Sequence, residues 1–238
     1  HVDEASKGII AMLAKSSEIV RPSLFYILAQ LGDPGSMTAL KLAGQTDDTD
    51  AFKELVMALS YSPVREADRL LLGLASKSSQ RARIVGAQSV RRMVVGPKGY
   101  GDITSNEALD FADPMLKMDL NVRMVNYIGH LNEARALKTL MYCLRKGVTT
   151  AAHSLISAAE GMKDLSTTDS EIAAKSLQDV IEYIEVTHLR GGVSAHMSKE
   201  DNYPGWKLLQ ARAGKVLLKV HKPEEAPIEA FDPLELDD

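Results

Sequence analysis

The run Val20-Arg21-Pro22-Ser23-Leu24-Phe25-Tyr26-Ile27-Leu28-Ala29-Gln30-Leu31-Gly32-Asp33-Pro34-Gly35-Ser36-Met37-Thr38-Ala39-Leu40 decides the fold. Val20, Leu24, Ile27, Leu28 and Leu31 fall at i, i+4, i+7, i+8 and i+11, which is one stripe of a helix. Asp33-Pro34 then sets a side-chain acceptor before a helix-starting proline, so a second helix begins where the first stops.

The same logic recurs on either side. Leu137, Leu140, Met141 and Leu144 form a stripe, as do Ile172, Leu177, Val180, Ile181 and Ile184. Trp206, Leu209, Ala213, Val216, Leu217 and Val220 supply the last one. No sustained two-residue alternation of β-branched and aromatic residues occurs, so the chain reads as all-α. The spacing predicts helices at 4–15, 19–31, 35–45, 49–60, 63–76, 79–94, 105–118, 121–131, 133–146, 149–163, 169–187 and 203–221. Ser62-Pro63 and the pair Thr168 and Glu171 read as further helix starts. Hydrophobic residues make up 45% of the 238 and aromatics 5%, a composition suited to helix–helix packing.

Short helices joined by tight turns cannot each bury an apolar face alone and must stack on neighbours. The expected architecture is therefore an α-solenoid of antiparallel helical hairpins over residues 1–221, followed by an acidic tail, 222–238. The glycine-containing stretch 96–102 and the polar stretch 188–204 interrupt the pattern as inserted loops. The tail holds seven acids against one lysine, a local charge of −6, which leaves about +2 on the body of a chain whose net charge is −4. Nothing in that balance points to nucleic acid. Ile228, Phe231, Leu234 and Leu236 lie among the tail's acids, a pattern suited to docking in a basic-rimmed groove of a partner or of the chain itself.

Residues 13–40 resemble a HEAT repeat of the bacterial phycobilin-lyase type, through Val20-Arg21, Ile27, Leu31-Gly32-Asp33-Pro34, Met37 and Ala39-Leu40. Val64-Arg65 with Leu72-Gly73 repeats the second-helix pattern, and Ile128-Gly129-His130-Leu131-Asn132-Glu133-Ala134 is a degenerate version of the turn. The resemblance implies stacked hairpins that offer a long surface to other proteins. It implies as an alternative a subunit of a bilin-lyase-like enzyme, and more remotely a nucleic-acid-binding solenoid. Deoxyhypusine hydroxylase shares the fold type but binds di-iron through adjacent His-Glu pairs, and this chain has none. HEAT-like alkyl-base glycosylases use a basic concave face rich in aromatics, whereas this chain is acidic with one tryptophan.

The best-supported function from sequence is a non-catalytic scaffold or structural subunit that organises a larger multiprotein assembly, with no cofactor expected. Arg81, Gln88 and Arg92 fall on one helical face with Arg83 and Arg91 beside them. Arg81, Arg92, Tyr100, Trp206 and Phe231 are the contact candidates, because arginine and aromatic residues dominate binding energy at interfaces. His188 and His196 bracket glycines near Glu200 and Asp201, yet their spacing matches no metal-ligand pattern. Stretch 96–102 lacks the Gly-Lys-Ser/Thr ending of a phosphate-binding loop. Cys143 is the only cysteine, which excludes an intrachain disulfide, and its apolar neighbours Leu140, Met141 and Leu144 mark it as a core residue. No apolar run reaches the length of a membrane span. A first residue of His rather than Met reads as a trimmed or processed start.

Overall fold

A computed structural model describes residues 2–96, 99–101, 103–189 and 204–220. The tail with Phe231 and most of the 188–204 loop lie outside the described residues. The helices are α1 (Val2–Leu13), α2 (Arg21–Leu31), α3 (Pro34–Ala43), α4 (Thr49–Ser60), α5 (Glu66–Ala75), α6 (Ser79–Gln88), α7 (Ser105–Met118), α8 (Val122–Ile128), α9 (Ala134–Arg145), α10 (Thr150–Gly161), α11 (Thr167–Ile184) and α12 (Pro204–Val220). The protein is all-α. Among the described residues no helix is long and apolar enough to cross a membrane.

Local chemistry fixes most of the starts. Asp33 caps α3 by accepting from the amides of Gly35 (2.9 Å) and Ser36 (3.1 Å), and from the Ser36 hydroxyl. Burial alone would raise the Asp33 pKa, but the Ser36, Gly35 and Ser6 hydrogen bonds outweigh it and hold the carboxyl below its ordinary range. Thr104 and Glu107 form a reciprocal capping box at α7. Asp48 and Asn121 cap α4 and α8 without a proline to advertise them.

Three expected starts or stops are corrected. The cap of α11 is Ser166, which accepts from the Asp169 amide, so the helix begins before Thr168 rather than after it. Ser62 is no cap: it is buried, and its hydroxyl donates 2.5 Å to the Ala29 carbonyl at the end of α2. The helix expected over 79–94 ends at Gln88. Ser89 leaves helical geometry (φ −98°, ψ 9°), its hydroxyl bonds back to the Val85 carbonyl, and Val90–Met93 form a separate 3-10 turn. Two short strands follow, β1 (Val95–Gly96) and β2 (Gly99–Tyr100), paired antiparallel with Val95 opposite Tyr100. Part of the expected loop is thus a small hairpin.

Packing follows chain order. Each helix packs on its immediate neighbours and, α6 with α8 excepted, on the helix two positions away, and no more distant pair makes an extensive contact among the described residues. The odd helices form an unbroken row, α1–α3–α5–α7–α9–α11. The even helices form two shorter rows, α2–α4–α6 and α8–α10–α12. At the break the 3-10 turn Val90–Met93 packs against α7. One continuous core runs between the rows, from Phe25 in α2 through Leu55, Leu71, Phe111, Leu137 and Leu155 to Val216 in α12.

Arginines tie helices within each row. In α9, Arg135 donates to Asp113 (2.7 and 3.0 Å) and Asp110 (2.6 Å) of α7, and Arg145 reaches Asp179 of α11 (3.0 Å). Arg212 of α12 pairs with Glu160 of α10. Several of these groups are well exposed, so they align the helices more than they stabilise them.

Candidate functional site

The two arginines named as contact candidates, Arg81 and Arg92, turn inward. Arg92 is fully buried, which corrects its expected place at a partner surface. Because α6 stops at Gln88, the following 3-10 turn rotates Arg92 away from the face it would share with Arg81 on a continuous helix. Its Nε donates 2.6 Å to Asp68 Oδ1, its Nη2 donates 3.1 Å to the Val64 carbonyl, and its Nη1 donates to the Ser62 carbonyl. One guanidinium thus ties two carbonyls of the α4–α5 turn to Asp68 of α5. Arg65 shares Asp68 through Nη1 (3.3 Å) and lies 3.7 Å from Glu107, within reach of attraction but too far for a hydrogen bond.

Arg81 is half-buried and clamps another turn. Its two terminal nitrogens donate 2.6 Å each to the carbonyls of Gly44 and Thr46, and its guanidinium sits 4.5 Å from the Phe52 ring centre. Its bonding capacity serves the α3–α4 connection. Trp206 is half-buried on α12 and packs against the core. Tyr100 has its backbone in β2, while its side chain and Phe231 lie outside the described residues.

Candidate chemistry is sparse. Among the described residues no three His, Cys, Asp or Glu side chains gather as a metal site. His188 and His196, whose spacing matches no metal-ligand pattern, lie outside the described side chains. His153 lies on α10, where burial and the nearby Arg212 push its pKa below the ordinary value. Cys143 is fully buried and its thiol is pushed up to about 11, first by burial and then by the charge of Asp113, so it is a poor nucleophile at neutral pH.

Two grooves open between helices of the same row. The larger, about 670 Å³, runs between α3 and α5. Half-buried Leu70 supplies apolar surface over a floor of buried Met37 and Leu74, and the space over Gly73 is open, with nothing within 4 Å of where its Cβ would be. Lys41, Arg69 and Lys77 stand on its rim against a single acid, Glu66, so the rim is basic. The second, about 560 Å³, runs between α2 and α4 and carries Asp50, Lys53 and Glu54, with Lys53 already paired to Asp50 at 2.8 Å. Beside it Tyr26 meets Tyr61 edge to face at 6.0 Å, and Arg91 lies 3.7 Å above the Tyr61 ring. That rim carries two acids to one lysine, which leaves the α3/α5 groove as the better anion-attracting surface.

Sequence reading missed this groove because its basic residues come from two helices separated by a third. One signal was present: Thr38, Lys41 and Gln45 share one face of α3 at i, i+3 and i+7, as Arg69, Gly73 and Lys77 do at i, i+4 and i+8. Set against models of known protein families and against curated protein sequences, the chain matches none.

Proposed function

We propose that this protein is a HEAT-like α-solenoid that works as a non-catalytic protein-interaction scaffold within a larger assembly. Its α3/α5 groove receives an acidic, apolar-anchored segment of another protein. The observation that carries this reading is the groove itself: an apolar trough with a three-to-one excess of basic over acidic side chains on its rim. The contact order of the helices supports the solenoid part, since a stack in which each helix meets only near neighbours keeps its outer faces open along its length. An apolar trough supplies affinity by burying the partner's side chains, while the rim selects acidic flanks and speeds encounter.

The test is purification of the full chain with its partners from the native source, followed by lysine-directed crosslinking and mass spectrometry. Lys41 and Lys77 are expected among the crosslinked positions. The double change Lys41→Glu with Lys77→Glu is expected to lower partner affinity by about tenfold or more while leaving the helical content unchanged. Recovery of free monomer alone, or affinity indifferent to the reversal, would overturn the reading.

A further inference from the structure

The last described helix leaves one face unmatched. α12 buries Leu209, Ala213 and Val216 against α10 and α11. Its other side presents Leu208, Ala211, Lys215 and Leu218 at i, i+3, i+7 and i+10, flanked by Lys207 and Lys219. Leu208 and Leu218 are each 71% exposed, among the most exposed large apolar side chains described. The helix carries Lys207, Arg212, Lys215 and Lys219 and no acid. Every even helix from α2 to α10 except α6 packs on the next of its row, whereas among the described residues α12 has no later helix to cover it.

The sequence that follows has the complementary character. Residues 222–238 carry seven acids against one lysine, with Ile228, Phe231, Leu234 and Leu236 spaced among them. Reach is sufficient. The 17 residues of α12 span about 25 Å at 1.5 Å per residue. The eleven residues from Val220 to Phe231 extend to about 36 Å, so Phe231 can meet any point along the helix.

We propose that the acidic tail folds back over the outer face of α12. Its apolar side chains then cover the Leu208–Leu218 stripe and its carboxylates face Lys207, Lys215 and Lys219. The tail takes the place of the next helix in the row, and because it is tethered to α12 it acts at a high effective concentration. This covering is independent of the α3/α5 groove.

Disulfide trapping in the full chain tests it. Buried Cys143 does not compete for mild oxidants, so introduced pairs report cleanly. One protein carries Leu218→Cys with Phe231→Cys. A second carries Thr38→Cys with Phe231→Cys and asks whether the tail lies in the α3/α5 groove instead. The intramolecular bond is expected to form about tenfold faster in the first than in the second. It is expected to slow several-fold at about 1 M salt, where exposed charges are screened. Adding Lys207→Glu, Lys215→Glu and Lys219→Glu is expected to slow it likewise. Equal rates in the two proteins, faster bonding at Thr38, or chiefly covalent dimers from a second copy's tail would each overturn the proposal.

Discussion

Replacing Arg92 with methionine is expected to lower the unfolding free energy by about 3–5 kcal/mol, measured by urea denaturation of the full chain. Methionine keeps the unbranched stem and much of the packing, so the loss reports the guanidinium. Without it the Ser62 carbonyl loses its donor, the Val64 carbonyl keeps only the Ala67 amide at 3.2 Å, and Asp68 keeps only the longer contact to Arg65 at 3.3 Å. Removing one partner of a buried charged pair costs more than the pair contributes, because the survivor stays desolvated. The Asp68 side chain is 14% exposed, so water recovers part of its solvation and the effect falls toward the lower end of the range. Arg92→Lys is expected to restore only a part, since an ammonium cannot span a carboxylate and two carbonyls in one plane. A Met substitution that costs under about 1 kcal/mol would show that the network is peripheral to the fold.

Gly32→Ala is the second large effect, a loss of about 2–4 kcal/mol from backbone strain and overpacking together. Gly32 ends α2 in the left-handed region at φ +65°, where a side chain is disfavoured. An added Cβ would also stand 2.6 Å from Val64 Cγ1 and 3.0 Å from Val64 Cγ2. Val64 has little freedom to withdraw, because its carbonyl accepts from Arg92 and its amide donates to the Ser62 hydroxyl. The two contributions separate in a double variant. Adding Val64→Ala to Gly32→Ala should remove the collision and leave the strain, so the pair should cost less than the sum of the single changes. Strict additivity would mean that the collision is absent in solution.

The helices were legible in the sequence where periodicity and capping chemistry agreed. Asp33-Pro34 starts a helix as its dipeptide suggests. Ser62-Pro63 has the same appearance and starts nothing, because the Ser62 hydroxyl is used across the fold by Ala29, a partner 33 positions earlier. Apolar spacing continued past Ser89 although the helix did not, since Val90 and Met93 are apolar whether they lie on a helix or in a tight turn. That single break decided the fate of Arg92. An arginine read as a surface contact became the centre of a buried knot whose acceptors lie 24 to 30 positions earlier. The basic groove was illegible for a related reason: local spacing shows which residues share a helix face, but not which faces of α3 and α5 confront each other.

The interruption between α6 and α8 bears on mechanics. The odd helices form a continuous rail, while among the described residues α6 and α8 make no extensive contact and the 3-10 turn after α6 packs on α6 and α7. Under a bending load the unbroken row is expected to resist stretching more than the parted one. Flexure is therefore expected to concentrate at residues 89–96, between helices that need not unwind.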